Sequence, residues 1–241
     1  MTRPQPLPPA ERTVGQLVAE TVRLYGDNFW RVLPLGLVLA VVNQVSLEQR
    51  VAVQALILAA ATPLVTLAYM AGCSIALRAR PSLTAFLLGC LVFLPVAGLT
   101  LVYVLPALAW LALFGLAVPA AMAERLGPRA ALSRGLRLGT ADYVHALGSI
   151  ATLTILFGLT KVMLALVLQT QGDNELRAAV FLSDLVVSPI VFLGAALLYV
   201  DQAARVGESR RAKRVRRRSR ADLHPADDAH RAGRPDAEVE P

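Results

Sequence analysis

What this chain lacks is charge in the places where a water-soluble fold would need it. Only 17% of its 241 residues are Asp, Glu, Lys or Arg, against about 25% in soluble domains. No charged residue falls between Val51 and Leu77, and none between Pro81 and Ala123. With 56% of the residues hydrophobic, too little polar surface remains to cover a soluble core, and the chain is expected to live in hydrocarbon. Cysteine is scarce as well. Cys73 and Cys90 lie in apolar runs, give neither a metal spacing nor a disulfide framework, and are expected to pack as small hydrophobes. Lysine is reduced to Lys161 and Lys213, so nearly all the positive charge is arginine. The first thirty residues lack the basic start, short apolar core and small-residue cleavage site of a signal peptide. HExxH, GxSxG and P-loop patterns are also missing, so a non-enzymatic protein without cofactor or metal is expected.

What is present is a series of apolar runs long enough to cross a bilayer. A spanning helix needs ~20 mostly apolar residues, because the hydrocarbon core is ~30 Å thick and each residue rises 1.5 Å. Residues 29–47 and 51–77 make two spans. The uncharged stretch that follows is about twice too long for one crossing, so it turns back near Tyr103 to Pro106, giving spans at 82–103 and 106–124. Residues 146–169, interrupted by Lys161, and 178–200, interrupted by Asp184, complete a set of six. Pro63, Pro95, Pro119 and Pro189 fall inside these spans and predict kinks that neighbouring helices make tolerable. The fold class is therefore all-α: a polytopic helical membrane protein with six transmembrane helices plus interfacial amphipathic helices.

Arginine distribution sets the orientation. With the N-terminus inside, one side receives Arg3, Arg12, Arg23, Arg31, Arg78, Arg80, Arg125, Arg129, Arg134, Arg137 and the basic tail, while the other keeps Arg50 and Arg177. Both termini are then cytoplasmic. Residues 1–12 read as disordered. Residues 13–28 read as an amphipathic helix opened by a Thr13/Gln16 capping box, its apolar face formed by Val14, Leu17, Val18, Thr21, Val22 and Tyr25 and placed either in the membrane interface or against the end of the bundle. A second amphipathic stretch starts at Pro128, with Leu132, Leu136 and Leu138 apolar and Arg129, Arg134 and Arg137 basic. Residues 207–241 form a charged tail expected to be disordered.

Four groups of polar residues are candidates for function. Lys161 and Asp184 sit in consecutive antiparallel spans, about equally far from the turn at Gly172 and Asp173. A charge in the bilayer costs at least ~2.5–3.5 kcal/mol, so the two are expected to pair or to share a water-filled cavity. Either they fix the register of the hairpin or they serve a proton or solute path. Asn43, Gln44 and Gln54 lie in or beside the first hairpin and are placed either for hydrogen bonds between helices or in the outer interface. Glu124 is expected to pair with Arg125, Arg129 or Arg134; a catalytic role would need a partner such as Asp142 or His145, and His145 otherwise reads as an interfacial anchor. The basic block Arg210, Arg211, Lys213, Arg214, Arg216, Arg217, Arg218 and Arg220 enforces topology and contacts membrane lipids with anionic headgroups. It lacks the interleaved aromatics that stack on bases, so nucleic acid is not an expected partner.

Three segments carry a resemblance: Arg12-Thr13-Val14-Gly15-Gln16-Leu17 with Tyr25 and Asn28-Phe29; Ala117-Val118-Pro119 with Glu124, Ala131-Leu132 and Arg134; and Leu198-Tyr199-Val200-Asp201 with Arg205. Over roughly Arg12 to Gly207 the chain resembles uncharacterised bacterial membrane proteins related to the membrane domain of glycerophosphoryl diester phosphodiesterases. It departs from them at Pro106-Ala107, where the family often has Pro-Gly. The resemblance implies a helical domain of the bacterial cytoplasmic membrane. It does not imply phosphodiesterase chemistry, which belongs to a separate barrel of ~250 residues. The function expected from these readings is structural, accessory or lipid-interacting, with a small permease-like protein using Lys161 and Asp184 as the alternative.

Overall fold

The computed structural model describes residues 8–168 and 172–223. Among them a short 3-10 turn, Pro9–Glu11, precedes nine α-helices: α1 (Val14–Asp27), α2 (Phe29–Ser46), α3 (Val51–Leu77), α4 (Leu83–Val102), α5 (Val104–Phe114), α6 (Ala117–Ala123), α7 (Pro128–Ala141), α8 (Tyr143–Leu168) and α9 (Asp173–Leu223). The domain is all-α, with six helical stretches long and apolar enough to cross a membrane: Phe29–Ser46, Val51–Leu77, Leu83–Leu101, Val104–Ala123, Tyr143–Leu164 and Arg177–Ser209. Their outward faces are strongly apolar. Leu56, Leu105, Ile155 and Val167 are each about two-thirds or more exposed, a surface suited to lipid and unsuited to water.

Helix α9 organises the bundle, packing against α2, α8 and α3 along its length and against α1, α7 and the Pro9–Glu11 turn near one end. That end also carries the α3–α4 and α6–α7 connections and most of the arginines; it is called the basic end below. The Thr13/Gln16 capping box forms in full. The buried face of α1 is Leu17, Thr21 and Tyr25, and Leu24 also packs inward, while Val22 is about half exposed. Helix α1 therefore lies against the basic end of the bundle, on α8 and α9.

Prolines decide where the helices deform. A proline at position i cannot donate to the carbonyl of residue i−4. Pro119 thereby frees the Gly115 carbonyl, and the Tyr69 hydroxyl donates to that oxygen at 3.2 Å. The fourth crossing, expected over 106–124 with a kink at Pro119, is accordingly broken four residues earlier, at Gly115–Leu116, into α5 and α6. Pro189 frees the Leu185 carbonyl in the same way, and Gly36 of α2 packs directly against it. The turn between the third and fourth crossings is a single extended residue, Tyr103, so Pro106 falls in the first turn of α5, where its missing N–H has no intrahelical partner to lose.

The tail corrects an expectation. Residues 207–241 were read as disordered, yet α9 continues without interruption through Leu223. Once a helix is nucleated and packed, extension is easy. Arginine, alanine and lysine are good helix formers, and no proline follows Pro189 until Pro225. Residues 224–241 and 1–7 lie outside the described residues.

Close backbone approach makes Gly36 a sensitive position. A methyl group there would sit 2.0 Å from the Leu185 oxygen, whereas at Gly98 it would meet nothing within 4 Å. Gly36→Ala is expected to destabilise the bundle by roughly 1–3 kcal/mol through forced backbone shifts, and Gly98→Ala to be neutral or stabilising by up to about 1 kcal/mol. Thermal unfolding of the two variants in detergent checks the contrast.

Candidate functional site: two charged clusters along one helix

The structure brings Lys161 and Asp184 together. Lys161 Nζ on α8 lies 2.8 Å from Asp184 Oδ1 on α9, and Asn43 on α2 donates its side-chain N–H to Asp184 Oδ2, also at 2.8 Å. Two helices thus supply one side chain each to a carboxylate on a third. The Asp184 side chain is fully buried, while that of Lys161 keeps a quarter of its surface accessible. The ammonium also lies 5.3 Å from the centre of the Phe157 ring, close enough for a cation–π attraction. Ser188 donates its hydroxyl to the backbone carbonyl of Asp184 at 2.5 Å. That leaves the carboxylate free for Lys161 and Asn43.

The role of Asn43 was not legible in sequence. It is 141 residues from Asp184, and only the packing of α2 on α9 makes the contact. Of the other polar residues in the first hairpin, Gln54 donates to the Ser46 carbonyl at 3.2 Å, and Gln44 buries its Oε1 without a hydrogen-bond partner among the described residues.

A second cluster gathers at the basic end. Arg12 Nη1 reaches Asp201 Oδ1 at 3.1 Å, and the Asp201 side chain is fully buried. Arg205, one turn further along α9, donates to Asp142 Oδ2 at 2.6 Å and to the Arg12 backbone carbonyl at 2.7 Å. Asp142 caps the N-terminus of α8 by accepting from the His145 N–H at 3.2 Å, and the His145 ring lies 3.4 Å from Arg205 Nη2. Gln202, also fully buried, donates to the Asp142 carbonyl at 3.2 Å. Asp142 and His145 therefore do converge, with Arg205 as their partner. Glu124 belongs to a separate contact: Arg134 donates to both of its oxygens, at 2.8 and 3.1 Å, and the Tyr199 hydroxyl to one of them at 2.9 Å. Arg134 is thus the partner of Glu124 among the three arginines weighed from sequence. No group of three or more metal-ligating side chains gathers among the described residues.

The cluster was missed as a unit because its members are far apart in sequence, and each alone reads as an interfacial charge. One signal did point there. Arg12, Glu124, Arg134, Tyr199, Asp201 and Arg205 are among the polar members of the three segments singled out in the sequence, and they meet at one end of the bundle. Arg210, Arg211, Lys213, Arg214, Arg216, Arg217, Arg218 and Arg220 follow on the same helix, but their side chains lie outside the described residues.

Fold and site define a class: a helical protein with six long apolar helices and buried ion pairs between them, as in a membrane protein bearing an internal charged site. Compared with family models, with curated proteins and with solved structures, the chain matches none.

Two predictions follow from the geometry. Asp184→Asn or Lys161→Met alone leaves a buried group without its charge partner and is expected to cost about 3–5 kcal/mol. The double variant removes both charges and should recover much of that loss, which a double-mutant cycle on thermal unfolding measures. At the other end, Arg205→Ala removes charge-assisted bonds to Asp142 and to the Arg12 carbonyl. It is expected to cost about 1–3 kcal/mol and to speed proteolysis at Arg12 as the N-terminal segment loses its tie to α9.

Proposed function

We propose that this chain is a non-enzymatic, permease-like protein of the bacterial cytoplasmic membrane that moves protons or a small charged solute through the Lys161–Asp184 site. The observation that carries the reading is a fully buried carboxylate held jointly by an ammonium on one helix and an amide on another. Ionisable groups placed within spans are costly and characteristically mark ion and proton paths. A carboxylate and an ammonium exchange protons readily, and a solute bearing either charge competes directly for one half of the pair.

Orientation follows from the arginines: the basic end is cytoplasmic by the positive-inside rule. Asp184 then lies ~25 Å along α9 from Asp201, as 17 residues at 1.5 Å each require, and so stands toward the external side. The Arg12–Asp201 and Arg205–Asp142 pairs close the cytoplasmic end. The extension of α9 beyond Ser209 carries Arg210 to Arg220 beside the inner leaflet, where anionic headgroups attract them. Membership in the bacterial family related to the glycerophosphodiesterase membrane domain belongs to this proposal. It rests on the three sequence segments that carry the resemblance.

A second reading, a structural or accessory membrane protein, is favoured by the tight packing of Gly36 on Leu185 immediately beside Asp184. Flux measurements separate the two. Reconstituted in liposomes with an internal pH dye and an imposed proton gradient, the wild type is expected to dissipate the gradient several-fold faster than the Lys161→Met/Asp184→Asn double variant, whose fold is retained. Equal rates for the two, with protons and with a panel of small ions, would leave the structural reading standing and remove the permease.

A further inference from the structure

Left-handed backbone at a helix C-terminus normally falls on glycine, which has no Cβ to clash. Here three non-glycine residues adopt it just past helix ends: Glu48 after α2 with φ 61°, Arg78 directly after α3 with φ 52°, and Arg125 two residues past α6 with φ 51°. The last two lie at the same end of the bundle. Non-glycine residues in this region are uncommon, and such outliers gather where function holds them. The segments that follow α3 and α6 lie side by side at the basic end and border an open depression of about 370 Å³.

Arg80, Ser82, Thr84 and Arg125 line it together with the apolar Met122 and Leu126. Among the described residues neither Arg80 nor Arg125 makes an ion pair. Glu124, the acid adjacent to Arg125, is committed to Arg134 and Tyr199. Two guanidinium groups from different loops thus border one depression without a carboxylate between them. Guanidinium forks match the oxygens of a phosphate group and bind them in pairs, and hydroxyl groups such as those of Ser82 and Thr84 add donors.

We propose that this depression binds a phosphate group, carried on the headgroup of an anionic phospholipid or present as free phosphate. Met122 and Leu126 accommodate the glycerol backbone in the first case. This site is separate from Lys161 and Asp184 and from the arginines of the tail, and it stands whether or not the protein conducts.

The test titrates the full-length protein in detergent with three probes: short-chain phosphatidylglycerol, inorganic phosphate, and a diacylglycerol of the same chain length that lacks phosphate. One phosphate-bearing probe should bind at one per chain, and diacylglycerol should not. Binding of phosphatidylglycerol alone assigns the ligand to lipid; binding of inorganic phosphate, with displacement of the lipid, assigns it to free phosphate. Arg80→Gln/Arg125→Gly is expected to weaken binding at least tenfold while its unfolding temperature stays at or above that of the wild type, because glycine accepts the left-handed position more easily than arginine. Thr84→Phe keeps both charges but fills the depression, and should weaken binding to a similar degree. That variant decides the matter if the double substitution proves unstable. Absence of one-to-one binding by either phosphate probe, equal binding of diacylglycerol, or unchanged affinity in folded variants overturns the proposal.

Discussion

In hydrocarbon a peptide carbonyl has no water to turn to, and every one that loses its helical partner must find another inside the protein. The bundle is arranged around that constraint. Pro119 releases the Gly115 oxygen, and the Tyr69 hydroxyl takes it. Pro189 releases the Leu185 oxygen, and the bare backbone of Gly36 packs against it. In both cases the freed carbonyl meets a neighbouring helix, so the features that deform single helices also tie pairs of helices together. Near Pro95, the Trp110 indole donates to the Val92 carbonyl at 2.9 Å and adds a further tie between crossings. Tyr69 anchors α3 to the α5–α6 break, Gly36 anchors α2 to α9, and Trp110 anchors α5 to α4.

The charges obey the same logic at higher stakes. Asp184 and Asp201 are both fully buried, and both are matched by a cation from another part of the chain, Lys161 in one case and Arg12 in the other. Removing one partner of a buried pair is far more costly than never having built the pair. The two sites nevertheless differ in kind. Asp201 belongs to a network that includes Arg205, Asp142 and a backbone carbonyl, and its cation comes from a segment outside the spans. Asp184 has one cation and one amide, drawn from two helices that each rest on α9. The first arrangement suits a fixed closure and the second a site whose partner can be exchanged.

How much of this was legible in the sequence depends on the range over which each signal acts. The six apolar stretches were readable because hydropathy is a local sum; so was the capping box at Thr13 and Gln16, which spans four residues. The pairing of Lys161 with Asp184 followed from a hairpin with a short turn, where equal distance from Gly172 implies equal depth. Asn43 could not be assigned, because whether it faces lipid, headgroup or Asp184 is fixed by how α2 rotates against α9. The break at Gly115 was expected at the wrong residue: a proline acts on the carbonyl four positions back, and only the presence of Tyr69 makes a full interruption stable there. The extension of α9 through Leu223 was misread because a block of like charges lowers the stability of an isolated segment but does little against a helix already nucleated by 30 apolar-packed residues before it.

Helix α9 joins the two charged clusters. It carries Asp184 toward one end and Asp201, Gln202 and Arg205 toward the other, and Pro189 lies between them. A helix transmits displacement along its axis wherever its hydrogen-bond ladder is intact, and it bends where the ladder is interrupted. The interruption here falls one turn from Asp184, at the point where Gly36 holds the freed carbonyl. Under the permease-like proposal, a change of charge at Asp184 acts on the segment before Pro189, while the segment beyond it is held by Arg12 and Asp142. Neutralising that carboxylate then removes contacts of α8 and α2 with that first segment.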